Sequence, residues 1–213
     1  MRCNDFIQLI SRHEWEPAKV EIQGDPVTIR GSAVVRGFLG SHSDCQVTPM
    51  HIACAHGAPL HFLEILKALD TQFLRTRDSV YKRIPPPAAL ISSAPSKIIL
   101  QLIDWDPSSV QAQDILGRYP LHYACNHGAS IEEVEPFGER RSTGHRREGG
   151  LEWMVADPCG MPLTVIRLLL MVCPGSIPKT TFKGTTPLTH ARRTKDQSLI
   201  NVVESMIHDE NRP

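Results

Sequence analysis

The sequence predicts an all-α fold, a solenoid of stacked helix-turn-helix units with projecting loops, and three observations predict it. The segment Val47-Thr-Pro-Met-His-Ile-Ala-Cys-Ala-His-Gly-Ala-Pro59 recurs as Arg118-Tyr-Pro-Leu-His-Tyr-Ala-Cys-Asn-His-Gly-Ala129, and Thr185-Thr-Pro-Leu-Thr-His-Ala191 gives a third version. The motif prolines Pro49, Pro85 and Pro120 are 36 and 35 residues apart, and Pro187 follows 67 residues later. Behind these motifs run the apolar segments PLHFLEILKAL, PSKIILQLIDW and PLTVIRLLLMV, each with large side chains on one helical face. A period of this size marks units that cannot bury their own apolar faces and must stack on their neighbours.

Residues 1–43 read as a helical cap or a degenerate repeat. Phe6, Leu9, Ile10 and His13 begin an amphipathic helix, Glu16-Pro17 reads as a break, and Val27 to Leu39 reads as a loose half-repeat. From residue 44 to 213 the repeats take over, as about four units. Thr48 and Thr186 supply N-cap oxygens, and Pro49, Pro120 and Pro187 occupy the first helical position, where a missing N–H costs nothing. Gly57 and Gly128 offer the left-handed conformation that ends a short first helix. The second helices follow, with Phe62, Leu63 and Leu66, then Ile98, Ile99 and Leu102, then Val165, Ile166 and Leu169 facing inward. A C-terminal capping repeat spans 181–208, where Asp196 starts a helix whose apolar face holds Leu199, Val202, Val203, Met206 and Ile207.

The excess in the last proline interval has a location. The steps Ala58-Pro59 and Ala94-Pro95 open their second helices, whereas Ala129 is separated from Pro162 by the 32 residues Ser130 to Met161. The pair Asp106-Pro107 and Cys173-Pro174 repeats the same 67-residue spacing. The insert 130–161 is polar and glycine-containing, mixes Arg140, Arg141, Arg146 and Arg147 with Glu132, Glu133, Glu135 and Glu139, and cannot supply a core. Within it, Arg140-Arg141-Ser142-Thr143 has the pattern of a basic-directed kinase site, which makes Ser142 a candidate for phosphorylation. The same stretch is compatible with a translated intron.

With a Thr-Pro-Leu-His-x-Ala pattern and a Gly six residues after the His, the chain resembles the ankyrin repeat family. The resemblance covers about residues 44–206 apart from the insert. It is weakest at Arg83 to Trp105, where Ile-Pro-Pro-Pro-Ala-Ala-Leu lacks the His and Ser93 replaces the Gly. The family implies that His51 and His122 hydrogen-bond within and between repeats, and that Cys54 and Cys125 pack between helices.

Composition narrows the function. Lys plus Arg and Asp plus Glu both total 23 in 213 residues, which argues against nucleic acid or an anionic membrane as partner. Charges at Arg2, Asp5, Arg12 and Glu14 interrupt any signal-peptide core, and six cysteines without a C-x-x-C suit reduced thiols in the cytoplasm or nucleus. Hydrolase, metalloprotease, phosphate-loop and dinucleotide motifs are absent, and no cofactor is expected. His51-x-x-Cys54-x-His56 and His122-x-x-Cys125-x-His127 carry zinc-binding residue types. On a helix, however, His56 lies about 140° from His51 and about 160° from Cys54, too far around for one ion.

These readings predict a non-enzymatic scaffold that binds another protein through the concave face of its repeats. The family's contact positions fall on Asp44, Val47, Ala55 and His56, then Tyr81 and Arg83, then Ile115, Arg118, Asn126 and His127, and finally Phe182, Lys183 and Thr185. The competing expectation is a metal-binding or catalytic domain that uses His51, Cys54, His122 and Cys125 across adjacent units.

Overall fold

The computed structural model describes residues 3–127 and 161–210, and it is mostly helical with one small two-stranded sheet. The insert 130–161 lies, but for Met161, outside the described residues, and so do Ser142 and Gly128.

The chain opens with α1 (Cys3–Ser11), α2 (Trp15–Gly24) and the single turn α3 (Pro26–Ile29). Phe6, Ile7 and Ile10 are buried from α1, as the apolar spacing requires. The break expected at Glu16-Pro17 does not form. Pro17 falls in the first turn of α2, where backbone N–H groups have no intrahelical acceptor, so its missing donor leaves the helix intact.

Residues 33–47 depart from the all-α expectation. β1 (Ala33–Arg36) and β2 (Asp44–Val47) form an antiparallel hairpin in which Ala33 faces Val47 and Arg36 faces Asp44. In β2 the side chains alternate, with Asp44 and Gln46 outward and Cys45 and Val47 inward. The loose half-repeat expected over Val27 to Leu39 is therefore a helical turn, a strand and the 3-10 turn Phe38–Gly40.

From Pro49 a short helix alternates with a longer one. The short helices are α4 (Pro49–Ala55), α6 (Pro85–Ile91), α8 (Pro120–His127) and α10 (Pro187–Thr194). Interleaved with them are α5 (Leu60–Leu69), α7 (Ser96–Trp105), α9 (Met161–Val172) and α11 (Gln197–Glu210). The weakly matching segment 83–105 forms the same helix pair as its neighbours. α4 packs on α6, α6 on α8 and α8 on α10, while α7 packs on α9 and α9 on α11. At the other end α1 packs on α4 and α2 on α5.

Turn geometry shows that α1 and α2 repeat the pattern. The N–H of Ala58 donates to the Ala53 carbonyl and that of Ala94 to the Ala89 carbonyl, and the N–H of Glu14 donates to the Leu9 carbonyl in the same way. All three five-residue bonds close the step from a short helix to the next one. At the C-terminus Asp196 accepts from the N–H groups of Ser198 and Leu199, the expected cap of α11.

One contiguous apolar core runs between the helix layers, and Phe62, Leu63, Leu66 and Leu102 within it are fully buried. At about 1.5 to 3 kcal/mol for each large side chain removed from water, this packing holds the row of helices together.

Two residues after α4, Gly57 takes φ +66°, and two residues after α6, Ser93 is held at φ 54° without a glycine's freedom. A Cβ at Gly57 would meet nothing within 4 Å, so only the backbone conformation opposes a side chain there. Ser93→Gly is expected to stabilise the protein, and Gly57→Ala to destabilise it, each by about 1 kcal/mol. Urea denaturation of the two variants checks both signs.

Candidate functional site

Between the helix pairs, three loops project and repeat one hydrogen-bonded design. In the first, the Asp78 N–H donates to the Arg83 carbonyl at 2.8 Å. Asp78 Oδ1 accepts from the N–H groups of Val80, Tyr81 and Lys82, and its Oδ2 accepts from Arg83 Nε at 2.7 Å. In the second, Asp114 N–H donates to the Arg118 carbonyl, Oδ1 accepts from the N–H groups of Leu116 and Arg118, and Oδ2 accepts from Arg118 Nε. In the third, Thr181 does the work of the aspartates: its N–H donates to the Thr185 carbonyl, and its Oγ1 accepts from the N–H groups of Lys183 and Thr185.

The loops are also tied in sequence. Ser79 N–H donates to the Gln46 carbonyl of the hairpin, Ile115 N–H to the Tyr81 carbonyl, and Phe182 N–H to the Leu116 carbonyl. Arg77 Nη1 adds a second link between the first two loops by donating to the carbonyls of Lys82 and Gln113. The backbone just before the loop's last residue needs positive φ, supplied by Gly117 at +74° and Gly184 at +73°, whereas Lys82 adopts +58° in the first loop. Gly117 has a second reason to lack a side chain, because a Cβ there would come within 3.1 Å of the Phe182 ring.

His51 couples the first loop to the short helices. Its Nε2 donates to the Arg83 carbonyl at 2.9 Å, which fixes the tautomer, and its Nδ1 accepts from Thr48 Oγ1–H at 2.8 Å. The Thr48 N–H also donates to His51 Nδ1, which closes a capping box at the start of α4. Burial pushes the His51 pKa down to about 4 despite the Arg83 carbonyl, so the ring stays neutral. This is the bonding within and between units that the sequence resemblance implied for His51. His122 is only half engaged: its Nδ1 accepts from the Tyr119 N–H, but Nε2 has no hydrogen-bond partner. Burial and the neighbouring His190 push its pKa down to about 4 as well.

The residues expected to touch a partner divide by burial. Phe182 is 78% exposed and Ile115 51% exposed. Asp44, Asn126 and Lys183 are also exposed, whereas Ala55, His56, Tyr81, Arg118 and Thr185 are half-buried. His127 ends α8, and its side chain lies outside the described residues.

Val47 and Arg83 are corrections, because both are buried and neither side chain presents itself to a partner. Val47 points inward through the alternation of β2, a period-two signal present in Asp-Cys-Gln-Val that the helical repeat pattern overrode. Arg83 is drawn in by the Asp78 carboxylate and stacks over the Tyr81 ring at 4.5 Å. Arg118 lies over Tyr123 at 4.6 Å, so Tyr81 and Tyr123 support the two guanidinium groups. The Tyr123 hydroxyl donates to Asp114, and burial together with that bond raises its pKa and keeps it protonated.

His51, Cys54, His122 and Cys125 do not assemble a metal centre. Among the described residues there is no group of three His, Cys, Asp or Glu side chains that could hold an ion. Both nitrogens of His51 are engaged, and burial raises the Cys54 thiol and pushes Cys125 up to about 12, which disfavours the thiolate a metal needs. No helix among the described residues is long and apolar enough to cross a membrane.

Two outcomes follow from this geometry. Asp78→Ala leaves the buried Arg83 guanidinium without its carboxylate, and its cost is expected to be about 3 kcal/mol or more in a denaturant titration. Acid acts through the histidines: unfolded, each takes up its proton near pH 6.5, whereas folded His51 and His122 resist until about pH 4. Stability is therefore present above pH 6.5 and falls as pH drops through that window, by on the order of 2 kcal/mol per histidine. Unfolding free energies measured at pH 7 and pH 5 check this.

No protein-family model and no curated protein matches the chain, so what this face does has to be argued from its own residues.

Proposed function

We propose that the chain is an ankyrin-type repeat protein, a non-enzymatic solenoid that binds another protein along the face built by its short helices and projecting loops. The observation that carries this reading is the ladder of hydrogen bonds from Gln46 through Ser79, Tyr81, Ile115 and Leu116 to Phe182. It holds successive loops in a fixed row by backbone bonds that leave side chains such as Ile115, Lys82 and Lys183 exposed. Large apolar groups exposed on such a frame are what a protein interface uses at its centre.

The helices favour the same face. Asn126 on α8 reaches His190 on α10 and stays exposed, and His56 at the end of α4 sits half-buried beside His13. Asn126 takes the place that Ala55 holds in the first unit, so one backbone pattern presents different side chains. In a stacked-repeat protein that is how one scaffold acquires specificity for one partner.

The test compares co-purification from native cells between the wild-type chain and a variant carrying Asn126→Arg and Phe182→Ala. Circular dichroism first establishes that both are equally helical. A protein lost at least tenfold from the variant supports the scaffold and its face. If both chains retain the same partners, this face is not the interface.

A further inference from the structure

Charge is not distributed over the loops as it is over the chain. The whole sequence has no net charge, yet loop residues 76–83, 111–119 and 178–186 contain Arg77, Lys82, Arg83, Arg118, Lys179 and Lys183 against only Asp78 and Asp114. Both carboxylates are buried and turned inward, each on the Nε of its own loop's arginine. Arg77, Lys82, Lys179 and Lys183 remain exposed, so these three loops expose cations and no carboxylate. The hairpin at the start of the row does not alter the balance, since Arg36 and Asp44 face each other across it.

Of the two arginines paired with aspartates, Arg118 alone keeps part of its side chain at the surface. Arg118 uses Nε on Asp114 and stacks on Tyr123, while its side chain remains 26% exposed. Between the cations stand the exposed side chains of Ile115 and Phe182, the latter seated over Gly117.

From this juxtaposition we infer that the loop row docks an acidic peptide segment of the partner, one in which Asp or Glu residues flank at least one large apolar side chain. The inference rests on the scaffold reading and specifies its partner. Carboxylates meet Lys82, Lys183 and the outer edge of Arg118, and the apolar residue covers Ile115 and Phe182. A peptide fits better than a polyanion, because the exposed apolar side chains of Ile115 and Phe182 share the loops with the cations and two of the six basic groups are already paired with aspartates. Interfaces of this kind gain association rate and discrimination from charge and lose both as salt rises.

The test is selection of a random 16-residue peptide library, displayed on phage, on the full-length protein, followed by fluorescence anisotropy of the enriched peptides. The expected result is enrichment of net-acidic peptides containing Leu, Ile, Phe or Trp. Their binding should weaken at least tenfold in the variant Lys82→Glu, Lys183→Glu, and at least tenfold between 50 and 500 mM salt. Lys97→Glu, at an exposed position of α7, should leave it unchanged. Enriched peptides that are neutral or basic, or acidic ones that bind the charge-reversed variant equally well, overturn the acidic assignment and leave the scaffold reading standing. Failure to enrich any peptide, with poly(U) RNA or phosphatidylserine vesicles binding instead, overturns both.

Discussion

The bond from His51 Nε2 to the Arg83 carbonyl is the constraint on which the rest of the structure depends, because it joins three things that could otherwise move separately. The ring closes the cap of α4 through Thr48, so its position is set by the helix. The carbonyl it reaches belongs to the loop that leads into α6, and the side chain of the same Arg83 is locked by Asp78. Helix, loop and next helix are therefore one hydrogen-bonded body. The cost is a neutral histidine and an ion pair in the interior, both tolerable only because each of their main bonds is made.

The units do not all use the same chemistry for the same task. Pro87 occupies in α6 the position that His51 holds in α4, and it cannot reach forward to the following loop. Ser92 Oγ, just after α6, donates back to the Cys54 carbonyl at 3.1 Å, a second tie between α4 and α6 beside that made by His51. Thr181 replaces an aspartate in the last loop, and the Thr186 and Thr189 pair replaces Thr48 and His51 at the head of α10. Weak sequence matches here mark substitutions of one hydrogen-bonding device for another, with the helix pair retained.

The same locking underlies the proposed role of the loop row in recognition. Asp78 and Asp114 satisfy the backbone N–H groups that a projecting loop would otherwise expose, and they hold the arginines by Nε alone. A loop whose backbone is bonded from within leaves most of its outer side chains, Arg77 apart, without a bond to the fold. Ile115, Phe182, Lys82 and Lys183 are exposed for that reason, and their order along the row is inherited from the helices beneath. A rigid surface also avoids the ordering entropy that mobile loops must lose on binding.

The sequence by itself determined the helix pairs and their order, because proline, N-cap threonine, glycine and apolar spacing act over a few residues and need no distant partner. It determined that 83–105 holds a helix pair although its motif is poor, and that Asp196 starts the last helix. Tertiary structure decided what local signals could not. Arg83 reads as a surface cation and is buried because a carboxylate five residues away and a tyrosine ring enclose it. Val47 reads as a partner-contact position and is buried because pairing with Ala33, remote in sequence, turns Asp44–Val47 into a strand. The cationic row depends on which aspartates turn inward, a choice made by loop-to-loop hydrogen bonding and invisible to a net charge of zero. Local geometry is encoded residue by residue, whereas burial and field are properties of the neighbours a residue acquires only when the chain has folded.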